Sequence, residues 1–77
     1  MYDSYKRMSE KISNQVSLYR NESGVTQEEL ASKVGVSRQT IIALEKGNYT
    51  PSILLALKIA AFFKMPIEEL FKITYEK

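Results

Sequence analysis

The sequence has no cysteine and no histidine. Without cysteine there are no disulfides and no thiolate metal sites, and a reducing compartment is the natural setting. Without histidine the commonest general base and the commonest metal ligand are both missing. Glycine and proline are scarce, at three and two residues. No apolar run approaches the ~20 residues needed to span a bilayer. The first ten residues, MYDSYKRMSE, contain no apolar stretch, so no signal peptide is expected and a cytoplasmic location follows by default. Met8 is an alternative start that would make residues 1–7 dispensable. Net charge is only +2, which permits nucleic-acid binding without demanding it.

What is present is a chain of 77 residues, 44% of them hydrophobic. That fits one small globular domain with a core of marginal size. The scarce glycines and prolines act as punctuation. Gly24, Gly35 and Gly47 each follow a candidate helix, where a left-handed residue is cheapest as glycine. Pro51 and Pro66 each precede an apolar segment and suit a helix entrance. These five residues divide the chain into five short helices.

The first helix is expected over residues 13–23, with Val16 and Tyr19 inward. The second starts at Thr26, where TQEE is a capping box between Thr26 and Glu29. Val25 and Leu30 are spaced as a hydrophobic staple around that cap, and Leu30, Ala31 and Val34 form its buried stripe. In the third, Ser37 is the cap, Val36 and Ile41 the staple, and Ile41 with Leu44 the inward face. The fourth enters at Pro51 and Ser52, with Ile53, Ala56, Leu57, Ala60 and Phe63 inward. The fifth covers residues 67–71. The tail ITYEK alternates and contains Ile, Thr and Tyr, the pattern of a short strand. The N-terminal segment is its candidate partner in a small sheet. The second and third helices are joined by three or four residues containing Gly35, which is a helix-turn-helix arrangement.

With those elements in place, the stretch VTQEELASKVGVSRQTIIALEKGNYTPSILLALKIAAFFKMPIEELF resembles the phage-repressor and Cro type of helix-turn-helix, the XRE family. The match covers roughly residues 14–71. Its specificity comes from several parts in register: TQEELA, GVS, EKG, PS and IEELF. The short length and charged tail look most like small bacterial repressors of this family that lack a sensor domain. The resemblance implies an all-α, compact five-helix, lambda-repressor-like domain over residues 13–71, flanked by an extension (1–12) and a tail (72–77). It implies a homodimeric, sequence-specific transcriptional regulator that represses from a palindromic double-stranded DNA operator.

Residue by residue, the resemblance assigns Arg38 and Gln39 to base edges, with Thr40 and Ala43 nearby in the groove. Gln27, Ser37, Lys46 and Asn48 fall at backbone-phosphate positions, and Gln27 can also brace the recognition helix. Arg20 and Glu45 match a buried ion pair. Three departures stand out. Lys64 replaces a common glycine, Ala43 replaces a longer polar residue, and Ile42, Leu54, Leu55 and Phe62 stand where polar residues are frequent. Leu54, Leu55 and Phe62 from this apolar surplus, with Phe71, Ile73 and Tyr75 beyond it, are assigned to a dimer interface.

The residue chemistry agrees with the groove assignment. The guanidinium of Arg38 is a planar fork suited to guanine O6 and N7, and the amide of Gln39 suits adenine. Glu28 and Glu29 are expected to turn away from the DNA. An antitoxin-like module that binds a partner protein is the competing reading. An enzyme is not expected, because Glu28, Glu29, Glu68 and Glu69 lie in first turns, where the helix dipole accounts for them. No metal, cofactor, small-molecule ligand or membrane partner is legible.

Overall fold

A computed structural model describes residues 9–76 of the chain. The alternative start at Met8 and residues 1–7 lie outside the described residues. The order is β1 (Ser9–Asn14), α1 (Val16–Glu22), α2 (Gln27–Val34), α3 (Arg38–Glu45), α4 (Ile53–Phe63), α5 (Ile67–Leu70) and β2 (Phe71–Glu76). The architecture is therefore five helices plus a two-stranded antiparallel sheet, and not strictly all-α.

Local chemistry sets the helix starts. Thr26 Oγ1 accepts from the Glu29 N–H at 3.0 Å, and the Thr26 N–H donates to Glu29 Oε1 at 2.8 Å. Two backbone donors at the head of α2 are thereby satisfied. Hydrogen bonding of the carboxyl by Thr26, through its N–H first and its hydroxyl second, holds Glu29 below its ordinary value of 4.5. Ser37 and Ser52 cap α3 and α4 in the same manner, accepting from the N–H of Thr40 and of Leu55. Gly35 ends α2 at φ +78°, in the left-handed conformation that turns the chain into α3.

Residues assigned to the first helix from position 13 behave differently. Ser13 and Asn14 belong to β1, and α1 starts only at Val16. Asn14 Oδ1 accepts the Val16 N–H at 3.1 Å, and Gln15 N–H donates to the Leu70 carbonyl at 2.9 Å. Phe71 likewise leaves the fifth helix and opens β2, two residues ahead of the ITYEK tail. The register pairs Ile12 with Ile73, Lys11 with Thr74 and Ser13 with Lys72. Alternation then puts Ile12, Phe71, Ile73 and Tyr75, with Glu10 and Asn14 at its two ends, on one face of the ribbon, and Lys11, Ser13, Lys72 and Thr74 on the other.

One core serves all five helices. Val16, Leu30, Ala31, Val34, Ile41, Leu44, Leu55, Ile59, Ala60 and Leu70 form a single buried cluster. Tyr19, Val25, Val36, Phe62 and Phe63 pack around it, half-buried. The phase of α4 differs from expectation. Leu55, Ala56, Ile59 and Ala60 point inward, whereas Ile53 is 79% exposed and Leu57 is also exposed. The segment ILLALKIAAFF is apolar on nearly every side, so its pattern carries no information about which side faces the core. Leu55, assigned above to a dimer interface, is only 5% exposed and belongs to the core instead.

Lys64 ends α4 at φ +57° and ψ +47°, the one non-glycine residue with positive φ among those described. Its N–H still reaches the carbonyls of Ala60 and Ala61. An L-residue pays roughly 1–2 kcal/mol for this conformation. Lys64→Gly is expected to stabilise the fold by about 1 kcal/mol, net of the greater chain entropy of glycine. Urea unfolding checks this, and a lower midpoint in the glycine variant would overturn it.

Candidate nucleic-acid interface

The turn between α2 and α3 occupies residues 35–37, and α3 starts with two exposed residues, Arg38 and Gln39. Both belong to the first turn of α3. Behind them Ile41 and Leu44 are completely buried. The short polar head and apolar middle of VSRQTIIALEKG therefore have separate tasks: the middle anchors the helix and the head is presented.

Thr40 is half-buried, and its hydroxyl lies 3.0 Å from Ser37 Oγ. Ser37 and Thr40 thus engage each other at the helix head, as cap and third residue. Ala43 is half-buried one turn further on, while Lys46 and Asn48 are exposed in the loop after α3. The Asn48 N–H is fixed on the Ala43 carbonyl at 2.9 Å. What that loop can offer a ligand is therefore side chains.

The orientation of α3 is set by a polar network at its far end. Arg20 Nε donates to Glu45 Oε2 at 2.7 Å, and Arg20 Nη2 to Glu45 Oε1 at 3.2 Å. Arg20 Nη1 donates to the Val25 carbonyl at 2.8 Å. The two side chains are 12% and 7% exposed. Gln27 Nε2 adds a third donor to the same carboxylate, at 3.0 Å to Oε1. One glutamate on α3 is thereby tied to α1, to the turn before α2 and to the first residue of α2. Such a two-pronged arginine–carboxylate contact fixes direction as well as distance.

Gln27, Arg20, Thr26, Glu28 and Arg38 line an open cleft of about 470 Å³ between the heads of α2 and α3. Glu28 sits at its wall, and Glu29 is held by its cap. The cleft also receives the positive end of α2. A second polar cleft of about 400 Å³ lies at the other end of α3, beside Lys46 and Asn48.

One residue of this region was not legible in the sequence. Asn14 Nδ2 donates to the Leu44 carbonyl at 2.9 Å, pinning β1 to the last turn of α3. Its partner is 30 residues away, and nothing local to SEKISN signals the contact. Of the residues assigned to a dimer interface, Leu54 is 63% exposed, Ile73 and Tyr75 are exposed, and Phe62 and Phe71 are half-buried against the core.

Two capped helices, a glycine-containing turn, a buried anchor and an exposed polar head on the second helix define a helix-turn-helix domain. The helix-turn-helix family model matches residues 16–70. Over 60 residues the chain is 57% identical to an uncharacterized HTH-type transcriptional regulator of Methanocaldococcus jannaschii, covering 78% of this chain and 91% of that one. It is 38% identical to the cryptic phage CTXphi transcriptional repressor RstR of Vibrio cholerae, over 77% of this chain and 53% of RstR. Among solved structures it superposes on the N-terminal DNA binding domain of SinR from Bacillus subtilis with a TM-score of 0.64, at 29% identity, covering 70% of this chain and 80% of that one. The chain belongs to the XRE family of helix-turn-helix, DNA-binding transcriptional regulators. No helix among the described residues is long and apolar enough to cross a membrane.

Proposed function

We propose that this regulator is a repressor that binds a palindromic operator as a homodimer. The observation that carries the reading is the exposed Arg38–Gln39 pair at the head of a helix whose far end is locked by Arg20, Gln27 and Glu45. Direct readout needs side chains that are free to reach bases and a helix that is not free to move. Arg38 reads a guanine and Gln39 an adenine in each half-site. Ser37 and Gln27 on one side, and Lys46 and Asn48 on the other, meet the sugar-phosphate backbone and set the register. Thr40 and Ala43 border the contacted bases.

Dimerisation is supported by exposed apolar residues on α4 and the ribbon. Ile53, Leu54 and Leu57 on α4 are exposed, and so are Ile12, Ile73 and Tyr75 on the ribbon. The two sets meet at a shallow hollow of about 160 Å³ lined by Ile12, Ile53, Ile67 and Phe71. A two-stranded ribbon with one apolar face is marginal by itself and gains from being covered. A twofold contact there sets two recognition helices about one DNA turn apart, roughly 34 Å. Repression then requires no chemistry, because the dimer occupies the operator. Similarity to a protein named as a transcriptional repressor supports this direction of control.

The test is selection of bound duplexes from random DNA, with wild type and Arg38→Ala side by side. The wild type is expected to enrich a palindrome. The variant is expected to relax it at one base per half-site, losing about 1–3 kcal/mol of discrimination there. No enriched motif at moderate salt overturns the operator reading and turns the search to a protein partner.

A further inference from the structure

The β1–β2 ribbon has two chemically distinct faces, and only the apolar one is used in the proposed dimer. The other carries Lys11, Ser13, Lys72 and Thr74, all exposed. It borders the polar cleft at the end of α3, whose lining includes Lys11, Ser13, Asn14, Lys46, Asn48 and Thr74. Glu45 also reaches that cleft, with its carboxylate held by Arg20 and Gln27. Asn14 fixes the position of the ribbon relative to α3 through its bond to the Leu44 carbonyl.

We infer that the polar face of the ribbon is a second DNA-backbone contact, with Lys11 supplying the charge across the cleft from Lys46. The inference rests on the operator-binding reading above and extends it to an element outside the helix-turn-helix. Its geometric basis is the shared lining of one cleft: Lys11, Ser13 and Thr74 of the ribbon border the same opening as Lys46 and Asn48, the loop residues placed on the DNA backbone in the reading above. Lys46 alone gives the second cleft one exposed cation on the loop side; Lys11 gives it another from the ribbon. The ribbon thus serves two partners at once, a second copy of the chain on its apolar face and phosphate on its polar one.

The experiment is the salt dependence of binding to the selected operator and to an unrelated duplex, for wild type, Lys11→Gln and Lys11→Arg. Lys11→Gln keeps most of the alkyl stem and removes the charge; Lys11→Arg keeps the charge. Each phosphate neutralised contributes about 0.9 to the slope of log K against log salt. The slope is expected to fall by about 2 per dimer in Lys11→Gln, equally on both duplexes, and to return in Lys11→Arg. Sequence preference is expected to stay unchanged, since phosphate contacts carry no base information. A wild-type slope in Lys11→Gln overturns the ribbon contact while leaving the operator reading in place. A slope lowered in Lys11→Arg as much as in Lys11→Gln also overturns it, because shape and not charge would then be at work. A wild type that binds neither duplex overturns the operator reading, and the ribbon contact with it.

Discussion

Arg20→Ala is expected to lower the melting temperature by at least ~12 °C. Glu45 is 7% exposed and receives two hydrogen bonds from Arg20 and one from Gln27. Removing the arginine leaves a nearly buried carboxylate with the Gln27 amide as its remaining donor among these three. It also strips the Val25 carbonyl of the Nη1 bond. Breaking a buried pair by deleting one partner typically costs about 3–5 kcal/mol. In a domain of this size each kcal/mol moves the midpoint by about 4–8 °C. The loss is a large part of the whole, since total stability at ~0.05–0.15 kcal/mol per residue comes to about 4–12 kcal/mol. Thermal melting followed by circular dichroism reads the effect directly. Arg20→Lys retains the charge without the planar fork and is expected to recover only part of the loss. Below the new midpoint, operator affinity of the folded fraction falls much less than stability does. A midpoint unchanged in Arg20→Ala would show that the network does not hold α3.

The second large effect is expected from Leu54→Glu. Leu54 is 63% exposed on α4, so a glutamate there meets solvent in the monomer and leaves its core intact. In the proposed dimer the same side chain faces a twofold-related apolar surface. An isologous contact doubles the error, because both copies carry the charge. Sedimentation is expected to give a monomer at concentrations where the wild type is a dimer. Operator affinity is expected to fall by about 10²–10⁴-fold, the gain that linking two half-site interactions provides. The melting temperature at low concentration is expected to match that of the monomeric wild type. A Leu54→Glu dimer with wild-type affinity would move the interface off α4.

The parts of this fold that were legible in the sequence are those with local causes. Thr26, Ser37 and Ser52 each cap a helix through a contact three residues away, so the helix starts are written beside the helices. Gly35 marks its turn for the same reason. The ribbon was legible in outline, ITYEK as a strand and the N-terminal segment as its partner, but not in its bounds or register. Its pairing joins residues about 60 apart, and SEKISN contains a single large apolar residue, Ile12, so nothing in that stretch opposes reading Ser13 as a helix start. Helix α4 was phased only in part, with Ala56 and Ala60 inward as expected but Ile53 and Leu57 exposed, because a segment apolar on nearly every side presents no clear stripe; packing on α2 and α5 selects the buried side. At the candidate site, the exposure of Arg38 and Gln39 was expected from their place in the family pattern. Asn14 was not, because its role is defined by a carbonyl on another element. The Gln27–Glu45 bond was foreseen only in outline, as a brace, without its acceptor.

The pairing of β1 with β2 also orders events in time. The helix-turn-helix is made of neighbours in the chain, and its caps form from residues three apart. Closing the ribbon brings the two flanks of the whole helical body together, at the largest loop-entropy cost in the molecule. Contacts of that separation are expected to assemble last and open first. The amides of residues 9–14 and 71–76 should then exchange with solvent ahead of those of α2 and α3. The proposed recognition surface is then expected to be complete before the ribbon closes.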